Sequence, residues 1–149
     1  MFDRYTDRAR RVLFFARYET SQLGGQFIEA EHLLLGVVRE ARGVTRGLLT
    51  RGGITLEGLR QTISNRRGGD ERVSTAVEIP FSEETRRVLA AAAVEADALA
   101  HSHIGTEHLL LGLLRESATA GQLIKGEDLS LDIARKAVTQ AASGDNVAE

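Results

Sequence analysis

Glu31-His32-Leu33-Leu34-Leu35-Gly36 recurs, residue for residue, as Glu107-His108-Leu109-Leu110-Leu111-Gly112. The offset from residue 31 to residue 107 is 76, and it holds well outside the block. It carries Arg10-Arg11-Val12-Leu13 onto Arg86-Arg87-Val88-Leu89, and Ala16, Glu19 and Leu23 onto Ala92, Glu95 and Leu99. It also carries Arg39-Glu40 onto Arg115-Glu116. Further along it becomes 75, so that Ile54, Leu56, Arg60 and Ile63 fall on Leu129, Leu131, Arg135 and Val138. Matching in register over such a length means a duplicated unit, and the one-residue slip belongs in a turn rather than in a helix.

Each copy reads as four helices. The first runs from about Asp7 to Leu23, where Ala9, Val12, Leu13 and Ala16 have the spacing of one helical face. Thr6 is its expected N-cap, with Asp7 complementing the helix dipole, and Ser82 before Glu83-Glu84 repeats that arrangement. Gly24-Gly25 ends it. The second helix spans Ala30 to Glu40, with Leu33, Leu34, Val37 and Val38 inward, and Gly36 lets a neighbouring backbone come close. Gly43 and Gly52-Gly53 bracket a short third helix, and a fourth from Thr55 to Arg66 buries Leu56, Leu59 and Ile63. The expected fold is all-α: two tandem four-helix repeats packed about a pseudo-two-fold axis into one eight-helix globule. As a single domain over 1–149 it divides into repeat 1 (1–67), a polar, Gly-containing linker (68–79), repeat 2 (80–143) and a frayed tail (144–149).

Composition narrows the function. Aromatics are only 5 % of residues, so the core must be aliphatic, which suits helices. The net charge of -2 lacks the basic excess of a non-specific nucleic-acid binder. The absence of cysteine excludes disulfides, thiol catalysis and Cys-ligated zinc, and fits a reducing cytoplasm. The charged opening lacks the apolar core of a signal peptide, and the sequence has no run of about 18 apolar residues that could span a membrane.

Gly105-Thr106-Glu107-His108-Leu109-Leu110-Leu111-Gly112-Leu113-Leu114-Arg115-Glu116 resembles the signature of the Clp N-terminal repeat, the N-domain of ClpC- and ClpA-type AAA+ unfoldases. The opening Phe2-Asp3-Arg4-Tyr5-Thr6-Asp7-Arg8-Ala9-Arg10-Arg11-Val12-Leu13 is similar to the start of a ClpC chain. The resemblance covers almost the whole sequence. It implies a double four-helix repeat that docks adaptors and substrate proteins for an ATP-driven unfoldase paired with a protease. For the ClpC branch it further implies two sites for phosphoarginine, a degradation mark. Carried over by motif, the acidic residues of those sites are Glu31 and Glu107 and the helix-start hydroxyls are Thr6 and Ser82. A helix N-terminus attracts a phosphate and a carboxylate pairs with a guanidinium, so one ligand would find both partners. Glu29-Ala30 stands where the family pattern has Gly-Thr. Glu83-Glu84-Thr85 stands where ClpC-like chains carry Pro and basic residues. The second repeat, which keeps Gly105-Thr106, is where a ligand is expected first.

No Gly-x-x-x-x-Gly-Lys-Ser/Thr motif occurs, so the chain is expected to be a non-catalytic, free-standing Clp N-domain protein. Its expected partners are a Clp ATPase, a Clp protease, adaptors or substrates, without nucleic acid, membrane or cofactor. The alternatives are the N-domain of a longer ClpC-like ATPase and a small-molecule sensor using the groove between repeats. Phe2, Tyr5 and Phe81 flank two helix starts, either as staples or as an apolar docking patch. Arg10 and Arg86 belong to a mirrored basic patch suited to a partner. His32 and His108 read as structural. His101, His103 and His108 lack the His-Glu-x-x-His spacing, and no metal is expected there.

Overall fold

The computed structural model describes residues 2–67, 78–124 and 128–144, so most of the linker and tail expected at 68–79 and 144–149 lies outside the described residues. The described residues form eight helices: α1 (Asp7–Leu23), α2 (Ala30–Glu40), α3 (Gly43–Arg51), α4 (Leu56–Arg67), α5 (Glu83–Ala98), α6 (Thr106–Glu116), α7 (Ala118–Leu123) and α8 (Leu131–Gly144). The caps read from sequence are the ones that form. Thr6 Oγ1 accepts from Ala9 N–H and Ser82 Oγ from Thr85 N–H, each at 3.1 Å. Gly24 ends α1 in the left-handed region at φ 83°, where glycine carries no Cβ penalty, and returns its N–H to Thr20 O. The repeat slip falls in a turn. Ala41 and Arg42 separately end α2 and start α3, whereas Ser117 alone does both between α6 and α7.

α2 and α6 are the centre of the molecule. Leu33, Leu34 and Leu35 of α2 and Leu109, Leu110, Leu111 and Leu113 of α6 are all fully buried. α1 lies along α2 and α5 along α6, and both pairs touch backbone to backbone at a glycine. A Cβ on Gly36 would lie 2.5 Å from Val12 O, and one on Gly112 would lie 2.5 Å from Val88 O. No side chain fits there, so the glycine sets the distance between the two helices.

The repeats are tied together by a crossed exchange. The lead-in to α1 pairs with the α5–α6 loop: Thr6 N–H donates to Ile104 O at 3.0 Å and Ile104 N–H donates to Arg4 O at 2.8 Å. The lead-in to α5 pairs with the α1–α2 loop: Ser82 N–H donates to Ile28 O at 3.1 Å and Ile28 N–H donates to Pro80 O at 2.8 Å. Every residue in one set is the 76-residue image of its counterpart in the other, which is the signature of a two-fold between repeats. Buried Thr45 of α3 and Thr106 of α6 add a hydroxyl–hydroxyl bond of 2.9 Å across the same boundary.

Each repeat also buries a carboxylate at the matching place in its first helix. Glu19 accepts from Arg60 Nη2 at 2.6 Å and Nε at 3.1 Å, with Arg39 Nη1 3.8 Å away. Glu95 accepts from Arg135 Nη2 at 2.7 Å and Nε at 2.9 Å, and from Arg115 Nη1 at 3.1 Å. The forked guanidinium ties α4 to α1, and α8 to α5, around a charge that would otherwise be costly to bury. The Arg135 hydrogen bonds, helped by Arg115, outweigh burial and hold the Glu95 carboxyl below its ordinary 4.5.

Gly36→Ala and Gly112→Ala each cost about 2 kcal/mol in denaturant unfolding, because a backbone carbonyl must move. Gly47→Ala, where a Cβ meets nothing within 4 Å in α3, is neutral or raises stability by about 0.5–1 kcal/mol. Glu95→Gln costs about 2–3 kcal/mol at neutral pH, somewhat less than a fully buried pair because Arg135 is half-exposed. A carboxyl depressed by folding contributes stability above its unfolded value and loses it as pH falls through the folded one. Wild-type stability therefore drops more steeply than that of Glu95→Gln below about pH 4.5, as read by thermal unfolding across that range.

Candidate functional site

The duplicated block places its six residues in unlike roles. His32 Nδ1 accepts from Glu29 N–H and His108 Nδ1 from Gly105 N–H, each at 2.9 Å, so each histidine satisfies a free amide at its own helix start. Both rings are fully buried. Each thus has a structural part at its own helix start, as the sequence indicated. The leucines fill the core and the glycine sets the helix contact. The glutamate remains, in the first turn of α2 and of α6.

The two glutamates sit differently. Glu31 is half-buried at the surface. Glu107 is only 4 % exposed, with Oε2 at 3.5 Å from His103 Nε2 and Oε1 at 4.0 Å from His108 Nδ1. The difference comes from the preceding loops, where Gly25 and Phe27 of the first repeat correspond to His101 and His103 of the second. Thr106 is buried and its hydroxyl bonds Thr45, so it acts across the repeat boundary. Ala30, at the matching place in the first repeat, has none.

The crossed pairing decides which helix starts are neighbours. Thr6 joins the backbone of the loop leading to Glu107, and Ser82 joins the loop leading to Glu31. Each acidic residue therefore stands near the lead-in of the other repeat's first helix. Both hydroxyls are already used as caps, and Ser82 Oγ lies 2.8 Å from Thr85 Oγ1 as well.

The lead-in aromatics gather beside these pairings. Phe2 meets Tyr5 edge-on at 4.9 Å and Phe81 edge-on at 6.3 Å between ring centres. Tyr5 is buried, which pushes its phenol well above the ordinary range, while Phe2 and Phe81 are half-buried against the core. The cluster is a staple between repeats. Among the described residues, the exposed large apolar side chains are instead Phe14, Tyr18, Phe27 and Val94. Arg10 reaches back to Phe2 O at 3.3 Å and lies 3.8 Å from Asp7, and Arg86 is exposed on α5.

An open cleft of about 550 Å³ runs along α1, α2 and α4, lined by Tyr18, Gln22, Arg39, Arg60, Gln61 and Ser64 among others. It lies within the first repeat, not between the two. The sequence showed Glu19, Arg39 and Arg60 only as repeated residues. Their partners lie too far apart along the chain for any local pattern to reveal the ion pairs. Among the described residues, no helix is long and apolar enough to cross a membrane.

Residues 4–127 match the family described as the Clp repeat (R) N-terminal domain. The chain is 38 % identical over 135 residues to an ATP-dependent Clp protease ATP-binding subunit ClpA homolog of Guillardia theta, covering 91 % of this chain and 16 % of that protein. It is 36 % identical over 141 residues to the negative regulator of genetic competence ClpC/MecB of Bacillus subtilis, covering 94 % and 17 %. The chain thus spans less than a fifth of the length of these curated relatives. Among solved structures, the N-terminal domain of the chaperone ClpD from Arabidopsis thaliana superposes with a TM-score of 0.77 at 28 % identity, covering 97 % of both chains. The Hsp104 N-terminal domain from Candida albicans shares the fold at 17 % identity, with a TM-score of 0.72 over 97 % of this chain and 94 % of that one. Fold, repeat and relatives agree: the chain belongs to the Clp repeat N-terminal domain family.

Proposed function

We propose that this chain is a non-catalytic docking module of a Clp chaperone–protease system, acting in the cytoplasm. It would receive adaptors or substrate proteins for a Clp ATPase and its protease. The observation that supports this most directly is the pair of related helix starts on one rigid scaffold. Each carries an acidic residue in its first turn, and each lies near the capped lead-in of the other repeat. Such a surface suits bivalent capture of a partner better than turnover of a substrate, because two weak contacts on one body reinforce each other.

The finer reading is recognition of arginine-phosphorylated protein. Glu31 and Glu107 would pair with the guanidinium, while the helix starts at Thr6 and Ser82 would face the phosphate. Of the two carboxylates Glu31 is the more open. Glu107 becomes reachable when His103 moves aside. Both hydroxyls are engaged as caps, so the phosphate would be held chiefly by backbone amides.

Calorimetric titration with free phosphoarginine tests this reading. Saturable binding is expected, reduced at least about tenfold in Glu31→Ala and lost in Glu31→Ala/Glu107→Ala, as follows from removing a charge-assisted pair. Equal binding by wild type and the double variant excludes these residues as the site. Absence of binding to wild type excludes phosphoarginine as the ligand.

A further inference from the structure

The second repeat has acquired something that the first lacks. His101, His103 and His108 offer three ring nitrogens that all lie within 4.8 Å of one another. His101 and His103 stack at 5.1 Å, and both stand edge-on to His108 at 5.0 and 5.2 Å. At the matching places the first repeat has Gly25, Phe27 and His32. That repeat builds the same turn and the same capped helix start with a single histidine. The fold therefore does not require His101 and His103, and their convergence on the shared histidine calls for another cause.

The donor set has a definite chemistry. Imidazole nitrogen suits zinc, nickel, cobalt and copper ions, whereas magnesium and calcium take oxygen. His101 and His103 are half-buried, which leaves an approach from solvent, and His108 forms the floor. A carboxylate stands beside them. Glu107 Oε2 is 3.5 Å from His103 Nε2, long for a hydrogen bond and close to the roughly 3.4 Å between two donors that share one tetrahedral ion.

We propose that His101, His103 and His108 form a binding site for a divalent transition-metal ion, zinc being the best fit, with Glu107 as the adjacent oxygen donor. Without an ion, the trio is held by protons. Gly105 N–H donates to His108 Nδ1, so the His108 hydrogen is on Nε2 and is donated to His101 Nδ1 at 2.8 Å. The ion takes the place of that proton. His108 moves its ring hydrogen to Nδ1 and gives up the Gly105 bond, so one helix-start hydrogen bond is exchanged for coordination. The same loop carries Ile104 into the crossed pairing with Arg4 and Thr6, and Arg4 donates to the carbonyls of His101 and Ser102. A bound ion would therefore brace one of the two junctions between repeats and leave the other unchanged. The site does not depend on the docking reading, although an ion on Glu107 would compete there with a guanidinium.

The test is calorimetric titration of the tag-free, chelator-treated chain with zinc chloride, alongside cobalt chloride followed by visible absorption. The expected result is one saturable ion per chain, the absorption bands of tetrahedral cobalt, and a higher unfolding temperature with zinc. His103→Phe and His101→Gly restore the residues of the first repeat. Each should weaken binding at least about tenfold, and His103→Phe, which leaves the His101–His108 hydrogen bond in place, should unfold like wild type without metal. Failure to reach one ion per chain, or unchanged affinity in both variants, would overturn the proposal.

Discussion

Four backbone hydrogen bonds hold this fold in its shape: those of Ile28 with Pro80 and Ser82, and those of Ile104 with Arg4 and Thr6. Each contributes only about 1 kcal/mol net. Their importance is positional. Every one crosses from one repeat to the other, so neither repeat completes the approach to its own first helix alone. The caps at Thr6 and Ser82, the Phe2–Tyr5–Phe81 staple and the neighbourhood of both acidic helix starts all follow from that exchange. Pairing of this kind also explains why the unit is duplicated: half of it would leave buried amides at Ile28 and Ile104 without their partners.

Much of this was legible in the sequence because it is periodic or local. The leucines of α2 and α6, the glycine that admits a neighbouring carbonyl, the capping hydroxyls and the glycine stop of α1 all act within a few residues of where they are read. Even the lost residue lay in a turn, where the shift of offset put it. The rest depends on distance along the chain. Glu19 and Arg60 were visible as repeated residues, but their pairing joins α1 to α4 and no spacing rule connects them. The crossed pairing involves single residues in irregular segments, which leave no periodic trace. The three histidines span a loop and a helix start, so a search for His-Glu-x-x-His passes over them.

Divergence between the repeats carries as much information as their likeness. The two scaffolds agree at the glycine contact, the histidine cap and the buried carboxylate. They part at the surface, where Phe14 and Tyr18 of α1 correspond to Ala90 and Val94 of α5, and around the acidic residues. Thr106 is used to join the repeats, His103 covers Glu107, and Glu31 stays open. The duplicated domain thus has one half-buried and one covered acidic residue at matching helix starts.

Native-state hydrogen exchange measured residue by residue tests the crossed pairing most directly. The amides of Thr6, Ile28, Ser82 and Ile104 should be protected to the same degree as those of Leu34 and Leu110 in the central helices, because all open only when the repeats separate. Fast exchange at those four amides, with Leu34 and Leu110 still protected, would contradict the account by showing that the two halves hold together without the exchange.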